Sequence, residues 1–145
     1  MSNLFENHRL LLFYKGDISA LTLFAQHSNG SICFPESLPA LSEVLESDET
    51  QINEINLHPA LLLKAINQLL DLDDDLLKIE PTFCERIDTP NGLMTVYMAR
   101  FTLLDPPHKL LESRNLKLKT LTELRRQSPV ELELLRRAYI AVMEG

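Results

Sequence analysis

The chain has 145 residues, the size of one domain, and a chain of this length buries enough surface to fold without a disulfide or a metal. Hydrophobic residues make up 45% and charged residues 24%, and no apolar run approaches the ~20 residues of a membrane helix, which excludes a membrane protein of that kind. The net charge of −7 disfavours a nucleic-acid-binding protein, because such a protein needs a basic surface to displace phosphate counterions.

The N-terminal third predicts mainly strands. Residues 1–17 carry an early acid and no small-residue cleavage site, so they predict no secretory signal and a cytoplasmic location. Two apolar stretches, 8–14 and 20–26, flank a Lys-Gly-Asp turn and predict an antiparallel pair, followed by a short strand over 31–34. From Leu38 to Leu45 the apolar residues recur at helical spacing, which predicts a short amphipathic helix.

A second helix is predicted from Pro59 to about Leu72, after a polar, acidic loop over 47–56. Proline suits the first helical position, where its missing N–H removes no helical hydrogen bond. The negative charge of residues 71–75 at the carbonyl end of the helix dipole predicts the end of the helix. The apolar stripe predicted to be buried comprises Leu62, Ile66, Leu69 and Leu70, and the face predicted to turn away comprises Lys64, Asn67, Gln68 and Asp71.

The next two segments, 77–87 and 93–104, predict a hairpin, because a Pro-Asn-Gly turn joins two stretches rich in β-branched and aromatic residues. The second strand is apolar on both faces, which is typical of a central strand. Arg100 is the exception. It could reach solvent, pair with Glu85 or contact a ligand.

The C-terminal segment predicts a basic loop over 109–114, an extended piece over 116–121 and a helical turn opened by Thr122. The sequence Ser-Pro-Val-Glu at 128–131 is a capping box, in which the glutamate would reach back to the first backbone N–H of a terminal helix. The inward stripe predicted for that helix is Leu132, Leu135, Tyr139 and Val142. Repeats and linkers are absent from the sequence, so a single domain over 1–145 is expected.

Familiar catalytic motifs are missing from the sequence. No glycine-rich phosphate loop occurs, and the four histidines lack the spacing of a zinc site. Cys33 and Cys84 are expected to be buried, reduced thiols. Charge is uneven: residues 36–75 contain ten acids and one base, whereas residues 109–137 contain eight bases and four acids. The basic segment is interpreted as a solvated face or as a surface that meets the acidic half of another copy.

The segments LLLKAINQLLDLDDDLLKIEPTFCERIDTPNGLMTVYMARFTL and LKLKTLTELRR resemble the layout of the Nudix hydrolase family. The resemblance implies an α+β fold, a Nudix-like mixed β-sheet packed between helices. The family's chemistry depends on the box G-x5-E-x7-R-E-U-x-E-E-x-G-U, whose helical glutamates hold Mg²⁺. Placed on this chain, the box has Lys64 at its arginine, while Ala65, Gln68 and Leu69 stand at its helical glutamates. The box is therefore degenerate, and no catalytic residue is carried over.

Two functions are weighed. The first is a non-catalytic Nudix-like binding or interaction module, without cofactor, for an unknown small ligand or protein partner, which includes a homodimer. The alternative is an atypical metal-dependent hydrolase of nucleoside diphosphate derivatives that holds Mg²⁺ elsewhere. The carboxylates considered for that metal are Glu36, Glu54, Asp71, Glu85 and Glu112. The residues predicted to bind a ligand are Lys64, Gln68, Glu85, Arg100 and Glu112.

Overall fold

A computed structural model describes residues 5–17, 21–46 and 59–144. Within these ranges six strands form one mixed sheet in the order β3-β4-β5-β1-β2-β6. The strands are β1 (His8–Lys15), β2 (Thr22–His27), β3 (Glu43–Val44), β4 (Leu77–Thr89), β5 (Gly92–Phe101) and β6 (Leu116–Lys119). The helices are α1 (Pro59–Leu70), α2 (His108–Glu112) and α3 (Pro129–Glu144). The predicted α+β class is confirmed, while the relationship to Nudix hydrolases stays a prediction.

The sheet lies between α1 on one face and α3 on the other. Alternate residues of β1 point to opposite faces, so Leu12 packs in the core that contains Leu62 of α1, whereas Leu11 packs in the core that contains Leu135 of α3. β1 pairs antiparallel with β2 and parallel with β5, and both central strands are buried on both faces. None of the described helices is both long and apolar enough to cross a membrane.

Helix α1 forms where it was predicted, but it is rotated about its axis relative to the predicted face. Leu62 and Ile66 are buried as expected. Asn67 was predicted to face solvent and is 4% exposed, whereas Leu69 was predicted to be buried and is 58% exposed. The helix ends in a left-handed turn, in which Asp71 has φ +55 and the Leu72 N–H donates to the Asn67 carbonyl, and the chain returns to the core at Leu72.

The prediction of a helix over 38–45 is wrong. Residues 43–44 form β3, which pairs with Asp88 and Ile87 at the edge of β4, and the N–H of Leu45 donates to the carbonyl of Arg86. Backbone bonds to this sheet edge replace the helical ones, so tertiary pairing overrides the local apolar spacing. The strand predicted over 31–34 is reduced to one bridge between Leu10 and Phe34. The predicted loop over 47–56 lies outside the described residues.

The predicted hairpin is confirmed as β4 and β5, which are joined at Thr89 and Gly92. Gly92 has φ +119, a conformation that glycine adopts without steric cost. Between Ile79 and Cys84 the register shifts, and this bulge leaves Cys84 exposed rather than buried as predicted.

The last third differs from the prediction in three places. The expected basic loop contains α2, and the helical turn after β6 is capped by Thr120, whose hydroxyl accepts from the Glu123 N–H, rather than by Thr122. Leu132 was predicted to face the core but is 38% exposed. The buried residues of α3 are Glu131, Leu134, Leu135, Ala138 and Val142.

Candidate functional site

The five residues predicted to bind a ligand lie in different parts of the molecule. Lys64 and Gln68 are exposed on the outer face of α1. Arg100 of β5 donates to Asp17 Oδ1 at 3.1 Å and to the Lys15 carbonyl at 3.3 Å, so the suggested pairing with Glu85 is wrong.

Glu85 is held instead by Arg137 of α3, with Nη1 and Oε1 2.6 Å apart. The same guanidinium donates to Glu133 at 2.6 Å, to Glu46 at 3.3 Å and to the Leu45 carbonyl at 2.9 Å. Its side chain is 15% exposed. Arg137 therefore ties α3 to β4 and to the residues that follow β3, and its donors are engaged within the protein.

Glu133 is the most strongly perturbed carboxyl of this cluster. Hydrogen bonds from Arg136 and then Arg137 lower the pKa of Glu133 from 4.5 to about 2. Stabilisation from a lowered carboxyl pKa is complete above pH 4.5 and is lost as the pH falls toward 2. A third of the Glu133 side chain is exposed, so solvent screening reduces the contribution.

We therefore expect Glu133→Gln to flatten the acid side of the stability profile. The wild type should lose about 1 kcal/mol more than the variant between about pH 5 and about pH 2.5, because the variant has no carboxylate to protonate. Urea denaturation at a series of pH values measures the difference. Parallel profiles for the two proteins would contradict the assignment.

The other carboxylates considered for a metal are separated in the same way. Glu36 pairs with Arg9 at 3.5 Å, and Asp71 pairs with Arg114 at 3.7 Å, while Glu54 lies outside the described residues. Across the described ranges, no group of three or more His, Cys, Asp and Glu side chains is placed to hold a metal ion.

Glu112 lies in a different setting, a groove at the edge of the sheet where β2 and β6 pair. We call it the Lys117 groove. It has a volume of about 390 Å³ and its lining includes Gln26, His27, Glu112, Lys117 and Lys119. Gln26 and Lys117 are directly opposite each other in the β2–β6 ladder. Neither lysine lies within ion-pair distance of a described carboxylate, although the charge of Lys119 also acts on Glu123. Both ammonium groups can therefore contact a ligand in the groove.

Hydrogen bonds hold Gln26 and Gly30, two residues that line this groove, in place. The Gly30 carbonyl accepts from Gln26 Nε2 at 2.9 Å and from Gln127 Nε2 at 2.6 Å. Gln127 also donates to Glu131 at 2.6 Å, and Glu131 accepts from the Ser31 hydroxyl at 2.6 Å. Glu131 is 5% exposed, and the hydrogen bonds to its buried carboxylate link α3 to the turn after β2.

His27 and Cys33 lie beside this network without forming a catalytic pair. His27 Nε2 contacts the backbone carbonyl of Cys33 at 3.0 Å, and its ring stacks on Phe34. Burial lowers the pKa of His27, so the imidazole is neutral at pH 7. Burial also raises the pKa of the Cys33 thiol well above its usual range, which makes this thiol a poor nucleophile.

The sequence analysis did not single out Lys117, Lys119 or the buried carboxylate of Glu131. The alternation Leu-Lys-Leu-Lys at 116–119 does indicate that both lysines share one face of an edge strand. The capping-box pattern predicted a different position for the Glu131 side chain, at the start of the helix. The Glu131 N–H does bond to Ser128 at 3.4 Å, but the carboxylate points into the core instead of back to the helix start.

No protein-family model matches the chain, and no curated protein matches it. The resemblance to Nudix hydrolases accordingly stays a prediction from the sequence.

Proposed function

We propose that the chain is a non-catalytic binding module with a Nudix-like fold, and that the Lys117 groove takes a small anionic ligand. The observation that carries the proposal is a groove with two lysines that form no ion pair with any carboxylate of the described residues, in an otherwise acidic protein. The Nudix-like fold is supported by the position of α1 directly before the β4–β5 hairpin and by the mixed sheet between helices.

The carboxylates support a binding role over metal-dependent hydrolysis. A hydrolytic site needs several carboxylates that converge on one Mg²⁺. Here Glu36, Asp71 and Glu85 each pair with a different arginine, on different elements of the fold. An arginine that holds a carboxylate competes with a metal ion for the same oxygens.

The groove has the size and chemistry of a small-ligand site. A volume of about 390 Å³ falls at the lower end of the range typical of such sites. The ammonium groups of Lys117 and Lys119 attract an anion. The amide of Gln26 holds the wall of the groove, since its two N–H groups donate to the Gly30 carbonyl and to Gln127 Oε1. Glu112 supplies an acceptor for a hydroxyl or amino group elsewhere on the ligand.

Removal of both ammonium groups should weaken this binding strongly. In NMR titrations of the labelled protein with inorganic phosphate, pyrophosphate and succinate, we expect saturable amide shifts along β2 and β6. The double variant Lys117→Ala/Lys119→Ala should weaken binding by about tenfold or more, since each charge-assisted contact contributes about 1–2 kcal/mol. Binding should also weaken as salt is added.

Lys64→Ala is the matched control, because Lys64 is an exposed lysine on α1 and was itself predicted to bind a ligand. It should bind like the wild type. Absence of saturable shifts with all three anions, or equal loss in the Lys64 variant, would contradict the Lys117 groove as the site. Release of phosphate from nucleoside diphosphate derivatives with Mg²⁺, abolished by Glu85→Ala or Glu112→Ala, would contradict the non-catalytic role.

A further inference from the structure

Arg9 of β1 is a buried cation whose hydrogen-bond donors are only partly used. The residue is 4% exposed, and burial lowers the pKa of its guanidinium. Nη1 donates to the carbonyls of Phe5 and His8. Nη2 has only long contacts, at 3.5 Å to Glu36 Oε1 and at 3.4 Å to the Ser37 carbonyl, and Nε has no hydrogen-bond partner among the described residues. An unpaired buried donor costs free energy, which a ligand that accepts from Nε would recover.

The poorly filled donors share one edge of the guanidinium. Nε–H and one N–H of Nη2 point the same way from the planar group, and this edge matches the two oxygens of a carboxylate. Glu36 does not fill the edge, because it approaches Nη2 alone and its side chain is 74% exposed. Arg9 can therefore donate two parallel hydrogen bonds to the carboxylate of a ligand.

Arg9 and Glu36 both line a cavity of about 320 Å³, which lies where β1 begins, beside the turn that joins β4 and β5. We call it the Arg9 cavity. Its volume is at the lower end of the range typical of small-ligand sites. Part of its wall is apolar and is formed by Phe5, Pro39 and Met94. The cavity thus combines a buried cation with a surface on which a short apolar group can pack.

The charges around the cavity favour a zwitterion over a simple anion. Two exposed carboxylates, those of Glu6 and Glu36, line the cavity together with the Arg9 guanidinium. They would repel a multiply charged anion such as phosphate. A ligand that carries an ammonium group next to its carboxylate satisfies both signs. Because Glu36 Oε1 is 3.5 Å from Arg9 Nη2, the two signs are presented at the close spacing found in an α-amino acid.

We propose that the Arg9 cavity binds a free α-amino acid with an apolar side chain. The carboxylate of the ligand accepts from Nε and Nη2 of Arg9, its ammonium group donates to Glu36, and its side chain packs against Phe5, Pro39 and Met94. This site is separate from the Lys117 groove, since different residues line the two cavities. The two proposals therefore stand or fall independently.

Three related compounds test which groups of the ligand are recognised. In NMR titrations of the labelled protein, L-leucine should give saturable amide shifts at residues 5–9 and 89–94. L-leucinamide, which lacks the carboxylate, should give none. The compound 4-methylpentanoate, which lacks the ammonium group, should bind at the same residues but about tenfold more weakly than L-leucine, because it leaves Glu36 without a donor.

Substitution of Glu36 should change the preference between these ligands. Glu36→Gln should weaken L-leucine by about tenfold and strengthen 4-methylpentanoate, because the variant no longer attracts an ammonium group or repels a carboxylate. The matched control Glu43→Gln changes another exposed glutamate, on β3, and should leave both affinities unchanged. Arg9→Lys should weaken both ligands by about tenfold or more, since lysine cannot donate two parallel hydrogen bonds, and thermal melting establishes that this variant is folded.

Several results would overturn the proposal. One is the absence of saturable shifts with L-leucine up to about 20 mM. Another is binding of L-leucinamide as tight as that of L-leucine. A third is a Glu36→Gln variant in which both ligands change in the same direction. Loss of L-leucine binding in Lys117→Ala/Lys119→Ala would place the ligand in the Lys117 groove and would also exclude the Arg9 cavity as its site.

Discussion

Replacing Glu131 with alanine is expected to lower the free energy of unfolding by about 3 kcal/mol, the largest effect among the substitutions considered. The carboxylate is 5% exposed and accepts hydrogen bonds from Ser31, Gln127 and the backbone N–H of Ile32. Removing it takes the acceptor from the buried Ser31 hydroxyl and Ile32 N–H and from one N–H of Gln127, and it also creates a cavity between α3 and the turn after β2. Urea denaturation near neutral pH measures the loss.

A double-mutant cycle with Ser31→Ala identifies the source of this loss. Ser31→Ala alone should cost about 1 kcal/mol, and the combined variant should cost less than the two single losses added together, because both changes remove the same 2.6 Å hydrogen bond. Glu131→Gln keeps the size of the side chain and should fall between the wild type and alanine. Additive losses in the cycle would contradict a direct contact between the two side chains.

Arg137→Ala is expected to destabilise the fold by about 2 kcal/mol. The guanidinium bonds to Glu85, Glu133, Glu46 and the Leu45 carbonyl, so its loss removes these polar links from α3 to β4 and to the residues that follow β3. Glu85 is 19% exposed and would lose the one cation that pairs with it among the described residues. Chemical denaturation again gives the magnitude.

The adjacent Arg136 provides the matched control for this substitution. It sits on the same helix and also pairs with Glu133, but its side chain is 60% exposed. Arg136→Ala should therefore change the unfolding free energy by only a few tenths of a kcal/mol when measured at low protein concentration. Similar losses for both arginines would show that partial burial of Arg137 and its bond to Glu85 contribute little.

The sequence was sufficient for elements whose local signals agree with their tertiary surroundings. The β4–β5 hairpin has a turn sequence that suits positive φ at Gly92, and α1 and α3 begin at prolines placed at a first helical position. The helix prediction for residues 38–45 failed for the opposite reason. Their helical spacing is local, whereas the pairing of Val44 with Ile87 is long-range and has no signature in the segment itself.

The candidate site was predictable only in fragments. Glu112 was among the predicted ligand-binding residues and does line the Lys117 groove, but the groove also needs β2 and β6 to be paired, and these strands are far apart in sequence. Arg9 illustrates the same limit. It lies on a strand where a charge is expected to face solvent, yet it is 4% exposed and donates to backbone carbonyls, including those of Phe5 and His8.

The parallel pairing of β1 with β5 has a consequence for how the chain acquires its structure. His8 pairs with Thr95, so the central ladder joins β1, the first of the described strands, to a strand that is synthesised much later on the ribosome. During synthesis β1 can first pair only with β2. The backbone groups on its other edge, which pair with β5, stay unpaired until most of the chain has been synthesised. Closing so long a loop carries an entropic cost, which favours early local formation of the β4–β5 hairpin and late docking onto β1.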